Sequence, residues 1–213
     1  MTKILIIRHG ESKANLLGLF LGQGNMDLTQ KGREQAKRTA EYLKDVHVDE
    51  IYSSDLDRAV QTAEYTAKIK NLPIHVEKGL REIDGGEWDF VPFCELPKKY
   101  PEEYTLWLEN VGRARCTGGE SFEETQKRVY SAYEKIAREN TGKTVAVFCH
   151  GTAIQAFITA VKGVSLDEVR TVPYATNASV STLSYDGEKF SLIEYSKDDF
   201  LVGLVTALPE GLV

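Results

Sequence analysis

The feature that most restricts how this chain can fold is a recurring pair: a short, wholly apolar run followed by a stretch of helical periodicity. Residues 4–7 are apolar throughout, and so are residues 145–149. Runs this short suit strands buried on both faces, as in a parallel sheet covered by helices. Helical spacing follows over 30–45, where Ala36, Ala40 and Leu43 share a face behind Thr29 as N-cap. It returns over 55–70, where Ser54 and Asp57 offer a capping pair. Strand-like segments at 50–52 and 73–76 separate and follow these helices. The alternation predicts an α/β fold: a three-layer α/β/α sandwich with a mostly parallel sheet and helices as crossovers.

After Glu82 the pattern breaks into Gly85-Gly86, Trp88, Pro92, Pro97 and Pro101, with one short helical piece at 102–109. We read residues 85–120 as a small helical cap inserted in a single domain spanning 1–213. Periodicity resumes with an amphipathic helix over 121–140, a buried strand at 144–148 and a helix over 152–162. Two β-rich runs, 180–184 and 190–193, flank Asp186-Gly187. Asp-Gly in that setting signals a hairpin, and hence an antiparallel edge strand on the sheet. The apolar stretch 203–213 is expected to pack on the body, with contact to a partner as the alternative.

Composition narrows the function. Lys and Arg number 26 against 32 Asp and Glu, a formal charge of −6, which opposes nucleic acid as the main partner. Three cysteines without a CxxC pair indicate neither a disulfide framework nor a thiolate zinc site, and suit a reducing, cytoplasmic setting. No apolar run approaches the ~20 residues of a membrane span, and Arg8 interrupts any signal-peptide core, so neither a membrane nor secretion is expected. Asn177-Ala178-Ser179 then reads as a chance sequon. The sequence leaves the oligomeric state open.

In open α/β sheets ligands bind beyond the carboxyl ends of the strands, so the residues at those exits are the candidates. Strand one exits into Arg8-His9-Gly10, and strand two leads to Arg58 on the next helix. Strand three is followed by Glu82, and the strand at 144–148 exits into His150-Gly151. Guanidiniums grip tetrahedral oxyanions with paired donors, and a neutral imidazole can attack phosphorus, so the set suggests phosphoryl transfer. Nearby Arg8 and Arg58 disfavour imidazolium and keep a nucleophilic nitrogen free. Glu82 is placed to protonate a leaving oxygen, which requires burial or a neighbouring anion such as bound phosphate. Singly, each residue has an ordinary reading: a structural histidine, a surface arginine, or a solvated Arg81–Glu82 pair. His47 and His75 are read as structural. A histidine-bound metal is disfavoured by the adjacent arginines and by the lack of HxH or HExxH spacing.

Arg8-His9-Gly10-Glu11-Ser12 with Asn15 closely resembles the histidine phosphatase superfamily, in its phosphoglycerate mutase-like branch. Leu28-Thr29 with Gly32, Gln35 and Ala36 matches that family's first helix. Ser53-Ser54-Asp55-Leu56, Arg58-Ala59 and Gln61-Thr62-Ala63 match its second. Leu80-Arg81-Glu82-Ile83, Gly86, Trp88, Gly118-Gly119-Glu120-Ser121 and His150-Gly151 complete the match along nearly the whole chain. The resemblance implies His9 as the nucleophile that becomes phosphohistidine, with Arg8, Arg58 and His150 around the phosphoryl oxygens and Glu82 as proton donor. Asn15 and the backbone amide at Gly151 would add phosphate contacts, and neither metal nor dissociable cofactor is implied.

Leu80-Arg81-Glu82-Ile83-Asp84 with Gly86-Glu87-Trp88 looks phosphatase-like, as in broad-specificity and alpha-ribazole phosphatases, and the chain lacks the longer cap of the mutases. The expected activity is hydrolysis of small phosphorylated metabolites. A phosphoglycerate mutase and a non-catalytic binder of phosphorylated ligands are the alternatives. Gly85 and Phe90 stand where relatives often show an aromatic and a glycine, and Thr152-Ala153 replaces a frequent glycine. In the cap, Trp107, Arg113 and Arg115 are candidates for contacts to the non-phosphate part of the substrate, the two arginines favouring a second anionic group. Glu11 and Ser12 either line the site or cap a loop.

Overall fold

A computed structural model describes residues 1–207. Its sheet has six strands, β1 (Thr2–Arg8), β2 (Glu50–Ser53), β3 (Ile74–Val76), β4 (Thr144–Cys149), β5 (Val180–Tyr185) and β6 (Phe190–Lys197). They lie in the order β3-β2-β4-β1-β5-β6, the first four parallel and the last two antiparallel. The two apolar runs are the central neighbours: Ile4 pairs with Val145 and Ile7 with Phe148. Helices cover both faces, which is why these strands carry apolar side chains in succession instead of alternating. The three-layer α/β sandwich expected from the alternation is the fold observed, with β5 and β6 forming the hairpin at Asp186-Gly187.

Among the described residues seven α-helices accompany the strands: α1 (Lys13–Leu17), α2 (Gln30–Tyr42), α3 (Asp57–Lys70), α4 (Leu96–Lys99), α5 (Pro101–Glu109), α6 (Phe122–Glu139) and α7 (Gly151–Val161). Thr29 caps α2 by accepting from the Gly32 amide, and Ala36, Ala40 and Leu43 are buried, Leu43 in one apolar cluster with Leu5, Ile7 and Phe148 of the sheet. Truncating Leu43 to alanine there costs about 2–5 kcal/mol. Ser121 and Glu124 close a capping box on α6. The expected Ser54–Asp57 cap does not form: α3 starts behind Leu56 without a side-chain cap, and Ser54 turns its hydroxyl inward. Helix α1, which is only five residues long, shows no apolar periodicity and rests on a Ser12–Asn15 capping box.

Two apolar clusters sandwich the sheet, one under α6 and α7 and the other under α2 and α3. A third belongs to the cap: Trp88, Leu96, Tyr104 and Trp107 pack with Phe20 of the first loop and reach the body through Phe122 and Ala156. Phe20 meets Trp88 and Trp107 edge to face, with ring centroids 5.4 and 5.5 Å apart. Phe90 sits at φ +66°, a left-handed conformation that glycine adopts without strain. That explains why glycine suits this position. The tail is held at 203–207, where Gln35 donates to the Leu204 carbonyl and Lys31 to that of Val205; its remainder, 208–213, lies outside the described residues.

Candidate active site

Strand register builds the centre of the site. Because Arg8 pairs with Cys149 across β1 and β4, the next residues, His9 and His150, emerge side by side, and their rings lie 5.2 Å apart. On the other flank Ser53 pairs with Phe148, which delivers Ser54 to the same level, 2.6 Å from His150 Nε2. Behind His9 the chain turns against the first turn of α2. A side chain at Gly10 would run into the Gly32 carbonyl at 2.5 Å, so this close approach needs glycine. The turn is fixed by Thr62, which accepts from the Gly10 amide, and by Asn177, which donates to the His9 carbonyl. Asn177 is buried in that role and is not presented for glycosylation.

His9 Nδ1 lies 2.7 Å from the Gly10 carbonyl, an acceptor that fixes Nδ1–H and leaves the Nε2 lone pair uncommitted. Burial, with the Arg58 and Arg8 charges adding to it, holds the His9 imidazole well below its ordinary range. The same causes, burial first, depress His150. Both rings are therefore neutral at neutral pH. His150 Nδ1 and Arg8 Nε are buried with no hydrogen-bond partner among the described residues, an uncommon state for such atoms.

Arg8 and Arg58 are buried yet meet no carboxylate at hydrogen-bond distance. Arg8 donates to the Ala175 carbonyl at 2.6 Å, and Arg58 to the carbonyls of Gly24 and Gly22 at 2.9 and 2.7 Å. Desolvation dominates both: it lowers Arg8 and brings Arg58 down to about 10, with Glu82 opposing. Glu82 lies at the mouth of α7. Its carboxylate accepts from the backbone amides of Ile83, Thr152 and Ala153, the last two being orphan donors of the helix start. Three of its roughly four acceptor positions are thus used, leaving about one for a proton. Arg128 ties down the backbone of this loop by donating to the carbonyls of Gly79, Arg81 and Glu82.

A cleft of about 510 Å³, counted to its open mouth, is lined by Arg8, His9, Ser12, Asn15, Arg58, Glu82 and Gly151 together with cap and loop aromatics. Asn15 spends its amide oxygen on Ser12, so its amino group is left for the cleft. Trp107 forms part of the wall, but the two cap arginines are turned away. Arg113 forks onto Asp167 at 2.8 and 2.7 Å, and Arg115 reaches Glu124 at 2.6 Å, both at the surface. They therefore do not supply the cleft with a second anion-binding group. Glu11 also faces elsewhere, accepting from Thr29 and Thr206 and pairing with Lys31, so it braces the loop. The ordinary alternative for Glu82, a solvated pair with Arg81, is not formed: Arg81 donates to Asp55 instead. His47 and His75 bond to Asp49 and Glu50 at the surface.

Sequence reasoning missed Ser54's contact, the Tyr174 wall and the Arg128 brace, of which Ser54, next to a strand exit, carried a local signal. Thr152, noted in the sequence as a departure beside His150-Gly151, lines the cleft. Among the described residues no cluster of three or more His, Cys, Asp or Glu is placed to hold a metal, and no helix is long and apolar enough to cross a membrane.

Comparison with known proteins supplies the family. Phosphoserine phosphatase 1 of Hydrogenobacter thermophilus is 36% identical over 168 residues, covering 79% of this chain and 80% of that protein. Bacillus subtilis PhoE, described as an uncharacterized phosphatase, is 31% identical and covers 96% of this chain and 100% of its own. The solved structure of Bacillus stearothermophilus YhfR superposes with a TM-score of 0.91 at 29% identity, covering 94% of this chain and 100% of that one. A profile of the histidine phosphatase superfamily (branch 1) matches residues 4–198, and the chain belongs to that family of phosphoric monoester hydrolases.

Proposed function

We propose that the chain is a cytoplasmic, metal-independent phosphatase that hydrolyses phosphomonoesters of small metabolites through a phosphohistidine on His9. One observation carries the reading: the uncommitted Nε2 of a neutral His9 faces a cleft whose two arginines are held only by carbonyls. Uncompensated guanidiniums beside a neutral nucleophile favour a dianionic phosphoryl group, and they stabilise the charge that develops on its oxygens. In the first step Nε2 forms a bond to phosphorus, the bond to the ester oxygen breaks, and Glu82 gives its proton to that oxygen. In the second step Glu82 takes a proton from water as the water oxygen bonds to phosphorus, and the phosphorus–nitrogen bond breaks. This releases inorganic phosphate and restores both residues.

His150 completes the oxyanion cradle. A Ser54 hydroxyl donating to its Nε2 places the ring proton on Nδ1, the buried atom that lacks a protein partner. Asn15 and the Gly151 backbone add neutral donors. Arg113, Arg115 and Glu11 have no part in this reading.

Rapid acid-free quenching with a phosphorylated substrate is the test. Wild type is expected to yield an acid-labile, base-stable phosphoryl adduct and to release phosphate, whereas His9→Ala yields neither. Isomerisation of phosphoglycerate outrunning phosphate release would instead establish a mutase. Vanadate binding without turnover on a broad ester panel would establish a binding protein.

A further inference from the structure

Resting on that hydrolase reading, we propose that Asp89, a cap residue outside the cleft, is a positioning residue for Arg58: it fixes the loop 22–24 that holds the guanidinium against the phosphoryl site. Gly22 and Gly24 each make the same two bonds. Their amides donate to the Asp89 carboxylate at 2.5 and 2.9 Å, and their carbonyls accept from Arg58 at 2.7 and 2.9 Å. Arg58 lines the cleft, whereas Asp89, Gly22 and Gly24 do not, so the acid acts through the loop and touches no substrate.

The loop is seated closely on the segment that carries Asp89. The Phe20 amide donates to the Val91 carbonyl at 2.8 Å and the Phe90 amide to the Phe20 carbonyl at 2.9 Å. A side chain at Gly24 would strike the Phe90 ring at 2.5 Å, and one at Gly22 would strike the Ile83 carbonyl and Asp89 itself. Two amides converging on one side chain need an acceptor that carries no donor. A carboxylate meets that need, whereas asparagine offers one oxygen and sets its amino group against the second amide. Burial raises the half-buried Asp89 carboxyl, with the two amides and then Arg58 opposing; burial lowers Arg58 to about 10, with Glu82 and then Asp89 opposing. Acid and guanidinium thus support each other's charge across the loop, without a direct ion pair that would occupy donors needed for phosphate.

The test is a double-mutant cycle on phenyl phosphate: Asp89→Asn, which keeps the size and removes the charge, in the wild-type and the Arg58→Gln backgrounds, with circular dichroism on each protein. In wild type the substitution is expected to lower kcat roughly tenfold and to leave KM within about twofold, because Arg58 answers charge that develops in the transition state. In Arg58→Gln it should cost less than about twofold, since no guanidinium is left to place. An acid with only a structural role would cost the same factor in both. Asp89→Ser, whose hydroxyl accepts from one amide, takes the place of Asp89→Asn should the latter not fold. Equal losses in the two backgrounds, or no loss in wild type, overturn the inference and leave the hydrolase reading standing. A wild type that does not hydrolyse phenyl phosphate overturns the hydrolase reading; the same cycle read as vanadate affinity, which needs Arg58 but no turnover, then decides the inference.

Discussion

The arginines of the sheet rim and those of the cap are the same residue put to opposite uses. Arg8 and Arg58 are buried and held by backbone carbonyls, whereas Arg113 and Arg115 are exposed and held by carboxylates. The consequence shows in proton affinity. Burial lowers the rim pair, and the hydrogen bonds to Asp167 and Glu124 raise the cap pair. A guanidinium already matched by a carboxylate has no net charge left for a ligand. One held by neutral dipoles in a low-dielectric setting keeps nearly all of it. What an arginine can bind is therefore decided less by its being in a cleft than by what holds it there.

The largest effect should come from breaking the rim half of this contrast. Arg8→Gln and Arg58→Gln each remove one preorganised donor, and each is expected to lower kcat by ~10²- to 10³-fold. Steady-state kinetics on one aryl ester check this, with circular dichroism to establish that the variants fold. A loss below tenfold for both would mean the uncompensated charge has another purpose.

The neutral histidines sharpen the comparison through pH. Both are held well below the ordinary 6.5, so the unfolded chain binds more protons than the folded one wherever pH falls below that value. Their contribution to stability is complete above pH 6.5 and is lost as the pH falls from there toward the depressed folded values. The slope amounts to about 1.4 kcal/mol per pH unit for each ring. Denaturant titrations from pH 7 to 5 on wild type and on His9→Asn, His150→Gln should separate by that slope. In the same window kcat at saturating ester, where titration of the free phosphomonoester at about pH 6 does not enter, should show no acid limb centred near 6.5. A limb there would place charge on the nucleophile and remove the reason for its reactivity.

Ser54 illustrates what could and could not be seen without coordinates. The strand exits were legible because a wholly apolar run marks a buried strand, and its first polar residue marks the rim; Arg8, His9 and His150 follow directly. Glu82 was legible from its place after the third strand. Ser54 offered two partners, a nearby amide at the start of α3 or a ring 96 positions away, and local spacing favours the first. Arg113 was illegible for the same reason. Asp167 lies 54 positions beyond Arg113, and nothing in the intervening chain announces the meeting. Phe90, where glycine would relieve a left-handed backbone, was visible as a departure but not as a strained one. Ser54→Ala tests the tertiary partner: it should lower kcat about tenfold by freeing the His150 ring, with about 1 kcal/mol lost from stability. Ser54→Thr, which restores the hydroxyl, should recover part of the activity. An equal deficit in both variants would reduce Ser54 to packing.

The smallest effects are expected at the other pole of the comparison, and they are the more exacting test because they forbid something. Arg113→Gln and Arg115→Gln each break an exposed ion pair whose attraction water and salt already screen. The melting temperature should move by no more than about 2 °C, and kcat/KM on any phosphomonoester should stay within about twofold. A partner left behind, Asp167 or Glu124, simply rehydrates at the surface, unlike the buried Gly22 carbonyl and the half-buried Gly24 carbonyl that losing Arg58 would strand. If either cap variant cost an order of magnitude on a substrate with a second carboxylate, that arginine would have to leave its acid partner and swing inward during turnover. The division between the two classes of arginine would then describe the resting enzyme only.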